Sequence, residues 1–496
     1  MGPRIFVWNS PKARRQLHLG PSVNGTLKIV DLPIQDDRSV HRSKPFDKLP
    51  DELIQTILEF AFPSSEATDY RTALALTLTC RRLYRLATPF LYNHLHFQLP
   101  FSNHSNALMR MNPANQVYCR KLNIACSDMH GAMTDEDWVI TTAFLTKFSK
   151  TRSLVIHGGF TRHGIELWPL TSKLLAKMPS LQHLTLNRQY WGLLLPRIKK
   201  YVQSLTLKSL KIHGISESKE APGGLCGPAS FSDLELSDYE ENAKATRALI
   251  RWPRKLRRFH FESFYNNRHY MDLTMFGNWL SIHKEALEEI YIGYLSGGSK
   301  GKIIDLSRFT ALKSLTLSRY SFSDDLKSCA TDASLMLAPN LETFTWSFSI
   351  YDQHCESWDA IGEKEELWLQ QLAKIAASRP TPLKRIHITF DPDYWGYRIE
   401  DGYPWDRLDR VKESCRQLNI ELTYTKPALT KKEWLEHVAE EERISEAQAQ
   451  RERGEGEGVG EGVEEGSESE EPKKNKEGRD IREYFAQIRG TQLHDK

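Results

Sequence analysis

The chain contains 496 residues, of which 40% are apolar and 26% are charged, and its formal net charge is +3. This size and apolar content allow one large core or two to three domains. No apolar run approaches the roughly 18 residues that cross a membrane, and the N-terminal region lacks the apolar segment of a secretory signal. We therefore expect no membrane partner, and a protein that works in the cytoplasm, the nucleus or both.

Catalytic and metal-binding signatures are missing from the sequence. The seven cysteines are scattered and none forms a C-x-x-C pair, so neither a zinc site nor a disulfide framework is expected. The G-x-S-x-G and H-E-x-x-H patterns are absent, as is a phosphate-binding loop with the required spacing. We expect no catalytic residues, no metal and no cofactor, and hence a protein that is not an enzyme.

Residues 1–44 form the first predicted segment. Basic residues precede the first acid, Asp31, and Pro3, Pro11 and Pro21 would interrupt any helix. This composition predicts a disordered basic arm.

Residues 45–95 contain three short helical patterns. Pro50 suits the first turn of the first helix, and Asp51 and Glu52 follow it where acids favour a helix N-terminus. The apolar positions, at helical spacing, are Leu53, Ile54, Ile57, Leu58, Ala61, then Ala73, Leu74, Leu76, Leu78, and then Cys80, Leu83, Tyr84, Ala87. About fifty residues make too small a core for so many apolar side chains. The surplus predicts a partner surface.

The motif positions in this region are Leu49-Pro50-x-Glu52-Leu53, Ile57-Leu58 and Leu76-x-x-x-Cys80-Arg81-x-Leu83-Tyr84. Their spacing resembles the F-box, and Ala87-Thr88-Pro89-x-Leu91-Tyr92 is similar to the ending common in fungal members of that family. The resemblance implies a three-helix domain that docks on a Skp-type adaptor, and through it on the cullin of an SCF ubiquitin ligase. The adaptor contacts that it implies are Leu49, Pro50, Leu53, Ile54, Leu58, Cys80, Arg81 and Leu83. The alternative is an unrelated three-helix piece of a larger core.

Residues 96–425 repeat an apolar-x-x-apolar-x-apolar pattern at irregular intervals. The last three positions alternate with period two, which indicates a short strand with one buried face. The repeats are Cys119-Leu122-Ile124, Ser153-Leu154-Val155-Ile156, Leu181-Leu184-Leu186, Val202-Leu205-Leu207, which overlaps Leu207-Leu210-Ile212, Phe231-Leu234-Leu236, Leu256-Phe259-Phe261, Leu287-Ile290-Ile292, Leu312-Leu315-Leu317, Leu341-Phe344-Trp346, Leu383-Ile386-Ile388 and the final Leu418-Ile420-Leu422. Helix-like segments, such as residues 272–283 and 365–378, follow some of these predicted strands. One such unit cannot close a core, whereas stacked units can. The region resembles a leucine-rich-repeat solenoid. It departs from that family in that most repeats lack the Asn or Cys that usually follows the strand. The predicted fold class is therefore α/β: a short all-α three-helix F-box, a leucine-rich-repeat-like solenoid and a disordered acidic tail. An ordinary α/β domain with a parallel sheet is the alternative.

The resemblance to a solenoid implies a target-binding inner face. The strand residues that would point to it are Gln182, His183, Thr185, Lys313, Ser314, Thr316, Glu342, Thr343, Thr345, Lys384, Arg385 and His387. Residues 391–405 add a loop rich in aromatic side chains, which are typical of binding hot spots. From this region the possible target contacts are Tyr394, Trp395, Tyr403, Trp405, Arg385 and His387. The aromatic loop is equally consistent with a cap that seals the last repeat from water.

The C-terminal region is acidic. Residues 433–471 contain 15 acids against 3 Arg, a net charge of −12, which leaves +15 for the rest of the chain. We expect a charged helix over residues 426–453 and a disordered, low-complexity acidic tail over residues 454–496.

Three functions are compatible with these features. The leading hypothesis is a non-catalytic substrate receptor of an SCF-type ligase, whose F-box binds the adaptor and whose repeats bind an unknown target. The second is a repeat scaffold that uses the F-box only to bind the adaptor. The third, a nucleic-acid-binding protein with a basic solenoid, is suggested by the basic segment at residues 251–258. No recognised nucleic-acid module accompanies that segment, and we do not expect a nucleic-acid partner.

Overall fold

A computed structural model describes the chain over residues 49–62, 70–99, 106, 108–126, 134–159, 168–188, 193–202, 205–217, 227–263, 268–295, 303–323, 326, 329–349, 361–379, 382–392 and 397–456. The predicted basic arm, nearly all of the predicted acidic tail, and Tyr394 and Trp395 lie outside the described residues. The chain divides into two compact units, Met1–Val438 and Ala439–Lys496.

The N-terminal part of the first unit is helical. Its helices are α1 (Asp51–Ala61), α2 (Tyr70–Thr79) and α3 (Arg81–Leu91). Acidic residues occupy the first turn of α1, and the Cys80 sulfur accepts a hydrogen bond from the Leu83 N–H at the start of α3. These helices share a small core of their own, made of Ile54, Leu58, Phe62, Ala73, Leu83 and Ala87.

A 12-stranded sheet follows, in which every neighbouring pair of strands is parallel and the strand order is the chain order. Its strands are β1 (His94–Leu99), β2 (Lys121–Cys126), β3 (Ser153–His157), β4 (His183–Asn187), β5 (Ser209–Ile215), β6 (Asp233–Tyr239), β7 (Arg258–Ser263), β8 (Glu289–Ile292), β9 (Ser314–Ser318), β10 (Thr343–Ser347), β11 (Arg385–Thr389) and β12 (Glu421–Tyr424). This sequential order distinguishes a solenoid-like arrangement from an ordinary α/β sheet, whose crossovers reorder the strands.

Connecting segments between and after the strands hold the remaining helices. They are α4 (Asp135–Leu145), α5 (Trp168–Lys177), α6 (Leu195–Val202), α7 (Ala243–Ile250), α8 (Leu273–Leu280), α9 (Cys329–Met336), α10 (Glu363–Ser378), α11 (Pro404–Arg416) and α12 (Lys431–Gly456). Side-chain caps explain where several of them start: Thr134 forms a capping box with Asp137, and Asn242 and Asp272 accept N–H bonds from the first turns of α7 and α8. None of the helices within the described residues combines the length and apolar character that crossing a membrane requires.

Strand alternation separates a covered face of the sheet from an open face. Along each strand one set of side chains is buried in a continuous core shared with the helices, as Leu184 and Leu186 of β4 illustrate. In most repeats an apolar residue three positions before a buried strand residue is also buried, as Leu181 is before Leu184 and Leu312 is before Leu315. Most of the intervening side chains stay partly or fully exposed and define the open face, whereas the serines Ser209, Ser318 and Ser347 at strand ends are buried.

One predicted repeat is not a strand. The sequence placed Val202-Leu205-Leu207 in register with the other repeats, but Val202 ends α6 and Leu205 and Leu207 lie in the connection before β5. Leu207 and Val202 are nevertheless buried. At this point the apolar pattern predicts the burial of these residues correctly, but the predicted strand is wrong.

Candidate functional site

The residues predicted to contact an adaptor fall into two groups in the helical region. Ile54, Leu58 and Leu83 are buried in the core of α1–α3. The others are accessible: Leu49 is half-buried against that core, and Pro50, Leu53, Cys80 and Arg81 are exposed. The sequence pattern therefore combined residues that build the small domain with residues that a partner can touch.

An exposed apolar face is the main feature that the motif did not show. Helix α1 is apolar on two sides, since Ile54 and Leu58 point inward while other large side chains remain in solvent. The exposed apolar side chains of α1–α3 are Leu53, Ile57, Phe60, Leu78 and Tyr84. Phe60 is 84% exposed and Leu78 is 72% exposed. Leu53, Ile57 and Phe60 fall at i, i+4 and i+7 and therefore share one exposed apolar face of α1. Exposed apolar side chains grouped in this way mark an interaction surface, and the signal in the sequence was an apolar content too high for one core.

A polar clamp fixes the start of this domain. Arg82 donates a hydrogen bond from Nε to Asp51 Oδ1 at 2.6 Å and another to the Leu49 carbonyl oxygen, while Arg85 pairs with the second Asp51 oxygen. The hydrogen bond from Arg82 and the charges of both arginines lower the pKa of Asp51. The clamp joins α3 to the N-terminus of α1 and holds Leu49 and Pro50 in place.

Residues 46–98 match the F-box-like family model. The chain carries an F-box-like domain. The match covers about a tenth of the chain and coincides with α1, α2, α3 and β1. No curated protein matches the chain at a significant level. F-box domains generally bind Skp-type adaptors, so the exposed apolar face of the F-box-like domain is the candidate adaptor site.

The open face of the sheet is the second candidate site. Its middle row follows the strand register from β1 to β12 and consists of His96, Asn123, Val155, Thr185, Lys211, Glu235, His260, Tyr291, Thr316, Thr345, His387 and Thr423. All twelve residues predicted from the sequence to face the target are exposed or half-buried. The structure thus presents polar and aromatic side chains next to one another on one accessible surface.

Near the C-terminal end of the sheet, the predicted target contacts are already engaged with neighbouring strands. Arg385 donates to Glu421 at 2.9 Å, and His387 Nδ1 lies 2.9 Å from Thr423 Oγ1. Burial and the charge of Arg385 lower the pKa of His387, because both disfavour the protonated imidazole. These side chains remain accessible but offer few free hydrogen-bonding groups.

The described part of the aromatic loop is packed into the molecule. The Trp405 ring is buried against Phe390 and Trp434, with centroid distances of 5.4 and 5.1 Å. Tyr403 is half-buried and donates from its hydroxyl to the Leu429 carbonyl oxygen at 3.3 Å. Of the two alternatives for these residues, the structure favours the cap over the binding surface, while Tyr394 and Trp395 lie outside the described residues.

In the basic segment at residues 251–258, two arginines form ion pairs with acidic residues of neighbouring repeats. Arg257 donates two hydrogen bonds to Glu288, at 3.0 and 2.9 Å, and Arg258 pairs with Asp233. Pairing of this kind leaves less positive charge for a phosphate backbone. Two of the basic residues that suggested nucleic acid therefore stabilise contacts between repeats.

Over the described ranges, no set of three or more His, Cys, Asp or Glu side chains could hold a metal ion. Burial raises the pKa of the Cys119 and Cys329 thiols to about 12, so both stay protonated.

Proposed function

We propose that the protein is a substrate receptor of an SCF-type ubiquitin ligase. The proposal rests on the exposed apolar face of α1 in the F-box-like domain, formed by Leu53, Ile57 and Phe60. When a partner covers exposed apolar side chains, their removal from water stabilises the complex by about 25 cal/mol for each Å² of apolar surface buried. A Skp-type adaptor, and through it a cullin, is the partner that an F-box-like domain would recruit.

The open face of the sheet would then hold the target protein. A parallel sheet presents rigid rows of side chains, so a target segment can meet several repeats at once. The receptor would contribute no catalytic residue, because holding the target near the ubiquitin-loaded enzyme raises the effective concentration of the reacting groups. It would act in the cytoplasm, the nucleus or both.

We further propose that the sheet region is a leucine-rich-repeat domain. The support is the buried apolar residue that leads into most strands and the sequential parallel sheet. Aromatic residues stand at several core positions where a strict leucine pattern has leucine, including Phe259, Phe344 and Trp346.

Reconstitution with purified components tests the proposal. The full chain, a Skp-type adaptor, a cullin with its RING subunit and a ubiquitin-loaded conjugating enzyme are combined with clients that co-purify with the chain. We expect a stable complex in size-exclusion chromatography and ubiquitination of a client only when the full chain is present. Adaptor binding without ubiquitination of any client would favour the scaffold instead, and no complex with the adaptor would overturn the proposal.

A further inference from the structure

The middle of the open face carries a group of side chains that the strand register brings together. Asp238 lies near the end of β6, His260 and Glu262 lie on β7, and Tyr291 lies on β8. The register pairs Leu236 with Phe261 and Tyr239 with Ser263, so an irregularity between them places both Ser237 and Asp238 opposite Glu262. On the other side of β7, His260 pairs with Tyr291. We call these four residues the acidic–aromatic patch.

Glu262 crosses from its own strand onto the next one. A Cβ atom built on Gly293, just after β8, would lie 3.3 Å from Glu262 Cγ, 3.4 Å from Glu262 Oε1 and 3.1 Å from Tyr291 Cε1. The Glu262 side chain therefore rests on the bare backbone of Gly293 and against the Tyr291 ring. Although half-buried, its carboxylate has no hydrogen bond or ion pair with any described residue.

Asp238 is also incompletely paired. Its side chain is only 10% exposed, and Oδ2 accepts from Arg188 Nε at 2.7 Å. Its other oxygen, Oδ1, is buried and accepts no hydrogen bond from the described residues. A buried acceptor of this kind is costly to leave unpaired, so the described residues satisfy the Asp238 carboxylate only in part.

Arg188 is the cation that faces these acids. Its side chain crosses β5 over Gly214, where an added Cβ would lie 1.9 Å from Arg188 Cγ, and pairs with Asp238 at 2.6 Å and Glu240 at 3.9 Å. The nearby Lys211 pairs with Glu235 at 2.5 Å. One arginine therefore stands against Asp238, Glu240 and Glu262, and burial together with the charges of Asp238 and Glu235 raises the pKa of Glu262. His213 Nε2 also lies 3.9 Å from Asp238 Oδ2. Within the described residues no cation pairs with Glu262, so its negative charge is not neutralised by a neighbouring side chain there.

The aromatic part of the patch provides a flat surface beside these carboxylates. The His260 and Tyr291 rings are stacked, with centroids 3.8 Å apart and planes 3° apart. A planar cation can lie over such rings while its N–H groups donate to a carboxylate. The guanidinium group of arginine fits both features better than the ammonium group of lysine does.

We propose that the acidic–aromatic patch binds a basic side chain of the target protein, with arginine preferred over lysine. This inference rests on the proposed function, because it assigns a chemical class to the target segment that the receptor would hold. The guanidinium would donate to Glu262 and lie over the Tyr291 ring. The same negative charge would repel phosphorylated segments and nucleic acids.

Selection from a phage-displayed library of random peptides on the immobilised full chain tests the patch. We expect enrichment of arginine-containing peptides, and replacement of that arginine by glutamine in a selected synthetic peptide should weaken binding by about tenfold or more. Glu262→Gln should weaken the unmodified peptide by about the same factor. The matched control is Glu289→Gln, an exposed carboxylate on the same face at the start of β8, which should leave the affinity within about twofold.

Charge reversal and folding controls complete the test. Glu262→Lys should select acidic peptides in place of basic ones, and thermal melting of Glu262→Gln should not fall, because the change removes a repelled carboxylate. Enrichment of acidic peptides by the wild-type chain, equal affinity in Glu262→Gln, or no enrichment over Glu262→Gln would each overturn the inference. Peptide selection needs no adaptor, so arginine-dependent binding by a chain that fails to bind a Skp-type adaptor would retain the patch and reject only the ligase proposal.

Discussion

Adjacent residues of α1, Leu53 and Ile54, have opposite roles in the structure. Ile54 is fully buried and Leu53 is 51% exposed. Ile54→Ala should destabilise the F-box-like domain by about 2–4 kcal/mol, because it leaves a cavity in a small core. Leu53→Ala should change stability by less than about 0.5 kcal/mol but weaken adaptor binding. Hydrogen exchange of α1 amides measures the first effect and calorimetric titration with the adaptor measures the second.

Val139→Ala is the matched control for Leu53→Ala. Val139 is a large apolar side chain on α4, outside the F-box-like domain, and is 68% exposed. Its truncation should leave adaptor affinity unchanged. If Leu53→Ala and Val139→Ala bind the adaptor equally well, the exposed face of α1 is not the docking surface.

Glu366 provides a pH-dependent contribution to stability. Arg410 donates two hydrogen bonds to it, at 2.9 and 2.8 Å, and these bonds with the charge of Arg407 lower its pKa below the ordinary value of 4.5. A group whose pKa is lowered by folding stabilises the protein above the unfolded pKa, and this contribution disappears as the pH falls through the folded pKa. Glu366→Gln should therefore cost about 1–2 kcal/mol at pH 7. Denaturant unfolding should show this difference shrinking below pH 4.5; a difference that persists in acid would mean that Glu366 acts through packing alone.

At the scale of elements, the first two turns of α12 seal the end of the sheet region. Trp434 and Val438 are buried, and Trp434 packs on Tyr397 and Trp405 at 5.3 and 5.1 Å. Trp434→Ala should cost about 3–5 kcal/mol and lower the melting temperature. Truncation after Val438, where the first compact unit ends, should leave the melting temperature unchanged, whereas truncation before Lys431 should lower it. Equal melting temperatures for the two truncations would reject the cap.

Strand positions were largely predictable, because their signal is local. Alternation of buried residues, as in Leu315 and Leu317, correctly placed β2 through β12, and the helix expected over residues 365–378 is observed as α10. Local patterns could not separate the strand-like Val202-Leu205-Leu207 from a helix end followed by a connection, since burial is similar in both. The family match ends at residue 98 and so includes most of β1. The F-box-like domain and the sheet region therefore share β1, whereas the boundary predicted from the sequence lies at residue 95.

The sites were less predictable than the elements. The sequence motif located the helices α1, α2 and α3. Which of their apolar residues face solvent, as Leu53 does and Leu58 does not, depends on the packing of α1 against α3. The proximity of Asp238 to Glu262 depends on the register of β6 and β7, which a long connection joins. The sequence does not encode that proximity in any short pattern, so the acidic–aromatic patch was missed.

At the scale of the whole molecule, charges on the open face are paired between successive strands. Lys211 pairs with Glu235, Lys384 pairs with Glu342 at 3.4 Å, and Arg385 pairs with Glu421. Such exposed pairs contribute little to stability individually, but each neutralises the two charges that it joins. Target recognition should then depend on the few groups that remain unpaired, and the F-box-like domain should act independently of them.

Calorimetric titration of the full chain with a Skp-type adaptor tests the central claim most directly. The wild-type chain should bind saturably with one adaptor per chain. Leu49→Ala combined with Pro50→Ala removes two apolar anchors worth roughly 2–4 kcal/mol at hot-spot magnitudes, so the double variant should bind at least roughly thirtyfold more weakly while the repeats melt as before. Unchanged affinity in the double variant, or no binding by the wild-type chain, would contradict the account.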